Sequence, residues 1–364
     1  MKRIICLLVL LPVLLNMSTA YAMDKQFETV IDKNSLIYGL DDDERDISGV
    51  VKLDGSYDVK ASMSKLYKHV LERAAQKLKT ELGYGVELIA LAVLCAVANS
   101  FCVDKRMGLF INTVSCCAAS LMFAGEIDSL VEQACQAMLK LSDYSKAAMP
   151  AIFSAAAASG APASSAAKYA AASLSIDILI SVAHKFIVPL VKLYICVAIS
   201  RSLFDNSILA ALSRFIKWAV TSSMTLMTMV FTAYISFTGL ISGSVDAAAV
   251  KTARTVIANG LPIVGKLISD VSSVILAGAG LVKNSAGVIS LIAVCVLCAA
   301  PFVDLMVKVF VFKGAAAAAD MLPSGKLSGL INDFGTAFSM LLGLIGCCGI
   351  MLFVSIISGI KVLV

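Results

Sequence analysis

The chain has 364 residues, 59% of them apolar and only 15% charged, with a formal net charge of +5 and a mean hydropathy of +0.89. A soluble domain is about half apolar and about a quarter charged, and here the apolar excess comes in blocks. The composition therefore implies an all-α, polytopic membrane bundle. The basic residues are scattered and form no stripe, which excludes a nucleic-acid partner.

The N-terminus, "MKRIICLLVLLPVLLNMSTAYA", has the parts of a secretory signal over residues 1–22. Lys2 and Arg3 precede the apolar run Ile4–Leu15, and Ala20-Tyr21-Ala22 offers a cleavage site. The run is short against the ~20 residues of a spanning helix, so cleavage after Ala22 is expected, an uncleaved anchor being the alternative. Residues 23–59 form an acidic extracytoplasmic arm, with "DDDER" at 41–45. Residues 60–85 change character. Met63, Leu66, Val70, Leu71, Ala74, Leu78 and Leu82 share one helical face, and Lys65, Lys68, Arg73, Lys77 and Lys79 crowd another. This pattern predicts a basic amphipathic helix on the membrane surface.

Residues 86–125 read as a transmembrane hairpin, Val86–Val103 and Met107–Gly125 around the turn "DKR". Residues 126–185 are amphipathic and then Ala/Ser-rich, too weakly apolar to insert alone and expected to pack within the bundle or re-enter it. Residues 186–241 hold two central spans, Phe186–Leu203 and one running from the Arg214/Lys217/Trp218 anchor to Leu240. Two C-terminal spans occupy 288–364, over Val288–Phe312 and from Phe338 to Leu363. About six spans result. Lys105/Arg106, Arg201/Arg214/Lys217 and Lys308/Lys313/Lys326 then all fall on the cytoplasmic side.

Between the fourth and fifth spans, residues 242–287 resemble neither a span nor a soluble loop. Val264, Leu267, Ile268, Val271, Val274 and Ile275 follow helical spacing, while Lys266 and Asp270 are four apart on the opposite face. Pro262 suits the first turn of that helix. Upstream, a weaker apolar stripe turns Lys251 and Arg254 away, and Asn259-Gly260 separates the two. Such a pair predicts an amphipathic helical hairpin at the outer interface, or a re-entrant element lining an aqueous path. Gly239-x-x-x-Gly243, at its border, is a close-packing surface for another helix. The candidate assembly or pore-lining residues are thus Gly239, Gly243, Lys251, Arg254, Asn259, Gly260, Pro262, Gly265, Lys266, Asp270, Lys283 and Asn284.

The succession "GLISGSVDAAAVKTAR" (239–254), "NGLPIVGKLISD" (259–270) and "GLVKNSAG" (280–287) resembles the stage III sporulation protein AE family, as does "PAIFSAAAASGAPASSA" (150–166). The resemblance implies a membrane component of a channel-like complex between mother cell and forespore, located in the mother-cell membrane around the forespore. It implies as partners the other stage III A proteins, which include ring-forming subunits and an ATPase, and stage II sporulation protein Q. It also implies a need for the protein in forespore development after engulfment.

No enzymatic constellation is legible. HExxH, GxSxG and a phosphate-cradling loop are missing, and only His69 and His184 are available as imidazoles. No catalytic residue, cofactor, metal ligand or small-molecule substrate is therefore assigned. Cys295-x-x-Cys298 has redox spacing, but no second pair and no nearby His accompany it. Asp304 and Lys308 lie four apart in an apolar run and form a candidate intramembrane ion pair. A self-sufficient secondary transporter is the alternative function; its signature would be two similar halves with matching broken helices, and one broken region is seen.

Overall fold

The structure, a computed structural model, describes residues 59–102, 105–158, 162–204, 206–240, 285–323 and 326–360. Seven α-helices make up these residues: α1 (Val59–Ser100), α2 (Lys105–Ala158), α3 (Pro162–Val182), α4 (Val188–Leu203), α5 (Ser207–Leu240), α6 (Ser285–Asp320) and α7 (Leu327–Ile360). A π-helical turn, Ala183–Ile187, joins α3 to α4. Five stretches are long and apolar enough to cross a membrane: Ser64–Ser100, Arg106–Ser154, Ala172–Leu203, Ser290–Asp320 and Leu327–Ile357. The remaining expected span lies in α5, whose side chains from 234 on are outside the described residues. The signal segment 1–22 and the acidic arm also lie outside them.

α7 is the centre. Its sequence, "LSGLINDFGTAFSMLLGLIGCCGIMLFVSIISGI", is apolar almost all round, the mark of a helix buried on every side, and it touches each of the other six helices. Small residues let its neighbour come close: a Cβ on Gly349 would stand 2.6 Å from Cys298 Sγ of α6. Around α7 the chain folds as three helical hairpins, α1–α2, α4–α5 and α6–α7. Cys95–Asn112 and Tyr84–Glu126 bonds fix the first as antiparallel. Contacts of Gly346 with Phe302 and of Gly349 with Cys298 fix the third. α1 and α6 run in the same direction, since Arg73 meets Asp304 and Gly85 meets Val311. Arg201 at the end of α4 meets Asp333 near the start of α7. The α1–α2, α4–α5 and α6–α7 junctions therefore gather at one end of the bundle.

Two helices are longer than a bilayer needs. α1 has 42 residues and α2 has 54, about 63 and 81 Å at 1.5 Å per residue, against ~30 Å of hydrocarbon. Toward the α1–α2 junction they expose Val86, Val93, Leu94 and Val97 on α1, Phe101 just after it, and Met107, Phe110, Val114 and Leu121 on α2, a surface suited to lipid. Farther out, the exposed positions include Lys65, Lys68, Glu72 and Lys79 on α1, and Asp128, Glu132, Lys140, Asp143 and Lys146 on α2. The basic segment expected to lie along the surface instead continues into the first span as one helix. Gly83 and Gly85, which would weaken an exposed helix by ~1 kcal/mol each, do not break it. At Gly85 α6 packs close: a Cβ there would stand 2.9 Å from Val311 Cγ1. In the Ala/Ser-rich region α2 continues through Pro150 to Ala158, and Phe153 meets Tyr169 of α3 at 5.8 Å between ring centroids.

Candidate functional site

Arg73, Lys77, Glu81 and Tyr84 are spaced i, i+4, i+8, i+11 along α1 and share one face. Glu126, Ser129, Gln133 and Gln136, at i, i+3, i+7 and i+10, share a face of α2, and Asp304 and Lys308, at i and i+4, a face of α6. The bundle turns these three polar stripes toward one another around a cleft of about 550 Å³. On α1 and α2 this level lies about 20 residues, ~30 Å, from the first turn, where lipid-facing apolar surface gives way to charge. On α6 the same level falls inside the apolar run.

Arg73 grips Asp304 with two bonds, Nε to Oδ1 at 3.1 Å and an Nη to Oδ2 at 2.9 Å, and Gln133 Nε2 donates to Oδ2 at 3.0 Å. Such a fork is the strong form of a carboxylate–guanidinium contact. Lys308 Nζ donates to Glu126 and lies 3.5 Å from Glu81 Oε2. Tyr84 donates its hydroxyl to Glu126 Oε1 at 3.1 Å, and its ring centroid is 5.5 Å from Lys308 Nζ, within cation–π range. Asp304, Lys308 and Glu81 are buried, at 2%, 5% and 3% exposure. On the turn side, Phe123, Phe312 and Phe338 seal the network with edge-to-face contacts at 5.3 and 4.9 Å.

A second polar centre lies nearer the turns. Asp333 of α7, inside an apolar sequence, accepts from Tyr194 Oη at 2.9 Å and from Arg201 at 2.6 Å, tying α4 to the central helix. Lys313 of α6 binds Asn332 Oδ1 and Thr336 Oγ1 of α7, each at 2.7 Å, and so staples the third hairpin near its turn.

A family model described as "Stage III sporulation protein AE" matches residues 47–361. The chain belongs to the stage III sporulation protein AE family. A similar protein is stage III sporulation protein AE of Bacillus subtilis (strain 168), 20% identical over 173 residues. That stretch covers 48% of this chain and 43% of the relative, so the chain matches less than half of that protein's length. No solved structure matches the chain.

Within this family member, Asp304 and Lys308 do sit together, but each is engaged by other helices: Asp304 by Arg73 and Gln133, Lys308 by Glu126 and Glu81. The pairing along one turn that the spacing suggests gives way to two sets of links across helices, because α1 and α2 bring stronger partners to both groups. Gly239 falls in the last turn of α5. Gly243, Lys251, Arg254, Asn259, Gly260, Pro262, Gly265, Lys266, Asp270, Lys283 and Asn284 lie outside the described residues. Cys295 and Cys298 are free thiols, as are the other cysteines described. Among the described residues, no group of three or more His, Cys, Asp or Glu side chains is arranged to hold a metal ion. Sequence reasoning did not single out Glu81, Tyr84, Glu126, Gln133, Tyr194 or Asp333, and placed Arg73 on the basic face of a helix lying on the membrane surface. The signal available was the unmet need of Asp304 and Lys308 for partners in an apolar run.

Proposed function

We propose that this chain is a non-enzymatic, integral component of a channel-like or secretion-like complex in the mother-cell membrane around the forespore, needed for forespore development after engulfment. Its partners on this reading are other stage III A proteins, ring-forming subunits and an ATPase among them, and stage II sporulation protein Q. The reading is carried by the family match over residues 47–361 on a chain with five helices able to cross a membrane. With basic side chains such as Arg106, Arg201 and Lys326 gathered near the turns, the turn end is the cytoplasmic one. The block 241–284 is then joined to the bundle at the extracytoplasmic end, because α5 ends and α6 begins there. That is where a subunit bridging two cells would present an assembly surface, and Gly239, Lys251, Arg254, Pro262, Lys266 and Asp270 are its proposed residues. Deletion in the native host, followed by microscopy of engulfed forespores, tests the proposal. Forespores that arrest after engulfment are expected; full-sized forespores maturing into resistant spores would overturn it.

A further inference from the structure

The charges around Lys308 do not balance. Its single ammonium serves two carboxylates, hydrogen-bonded to Glu126 and 3.5 Å from Glu81. Glu81 is 3% exposed, lines the cleft, and has no hydrogen-bond partner for Oε2. The other charged groups facing this point are already engaged or lie farther into water. From α1 come Arg73, committed to Asp304, and half-buried Lys77; from α2 come Glu126 and exposed Glu132; from α6 come Asp304 and Lys308. A buried carboxylate oxygen that has no hydrogen bond, and whose counter-charge 3.5 Å away is shared with Glu126, is costly. The cleft gives it a route to water.

From this geometry we propose that Glu81, Lys308 and Glu126 form a proton-binding site, with Glu81 Oε2 the atom that takes a proton from water in the cleft and returns it there. Protonation neutralises Glu81 and leaves one carboxylate, Glu126, facing one ammonium. It also releases Lys308 to Glu126 alone. Because the three residues belong to α1, α6 and α2, the proton sets how many charged links tie the first hairpin to the third. A metal ion is the poorer occupant, since it would sit beside the Lys308 ammonium. The inference stands independently of the sporulation reading.

The test uses the full chain in lipid nanodiscs and infrared difference spectra between acid and alkaline buffers. The expected signal is a protonated-carboxyl C=O band at the high frequency of a group shielded from bulk water. It should be lost in Glu81→Gln and kept in Glu132→Gln, which alters an exposed carboxylate of the same cleft. Absence of the band in the unmodified protein, or its survival in Glu81→Gln, overturns the proposal. Glu126→Gln supplies a second reading even where Glu81→Gln does not fold. By leaving one carboxylate to one ammonium it should also abolish the band, and an unchanged band overturns the shared site. Replacing choline chloride with sodium or potassium chloride should leave the amplitude unchanged; suppression would assign the site to a metal cation instead.

Discussion

Replacing Lys308 by Met keeps the length and apolar stem of the side chain while removing the one cation that Glu81 and Glu126 share. Lys308 and Glu81 have side-chain exposures of 6% and 4%, and Glu126 of 30%. Breaking a buried ion pair by deleting one partner costs ~3–5 kcal/mol, because the other charge stays buried and uncompensated. The cleft and the partial exposure of Glu126 hold the loss to the lower end, about 3 kcal/mol. Unfolding in mixed micelles by a denaturing detergent, followed by far-ultraviolet circular dichroism, measures it. The double variant Lys308→Met/Glu81→Gln should recover more than half of the loss, since it also removes the most buried carboxylate. A loss below ~1 kcal/mol, the size of a surface pair, or no recovery in the double variant, would refute the reasoning.

Phe312→Ala, at a ring 1% exposed between Phe123 and Phe338, should cost ~3–5 kcal/mol in the same assay. Gly349→Val should lose ~1–3 kcal/mol by overpacking, because its Cβ would stand 2.6 Å from Cys298 Sγ; adding Cys298→Ala should restore most of it. In a background stripped of native cysteines, a cysteine at Asn206 or Lys326, in the gathered turns, should resist a membrane-impermeant thiol reagent in intact cells, and one at Lys65 should react. The opposite labelling pattern would invert the proposed sidedness.

Much of the architecture was legible because hydrocarbon restricts what a chain can do. Long apolar runs imply helices, and the basic residues near their ends suggest a common side, which agrees with the gathering of the three turns at one end. What the sequence did not reveal was continuity. The stretch "ELGYGVEL" at 81–88 looks like a break, yet helix propensity is a weak local term and the packing of Gly85 against Val311 overrides it. The polar cleft was hidden for a related reason. Arg73 and Lys77 lie on a helical face whose charge reads as that of a membrane-surface helix, and only the tertiary fold shows that this face meets α2 and α6. Asp304 and Lys308 stood out by contrast with their surroundings, but four-residue spacing suggests a partner within the helix and says nothing of partners 171 to 231 residues away.

Replacement of residues 241–284 by a short polar linker in the native host tests most directly whether the bundle exists to present that block to other subunits. The expected result is a chain that accumulates in the membrane at normal levels while forespores fail as in the full deletion. Normal yields of resistant spores from cells carrying only the shortened chain would contradict it.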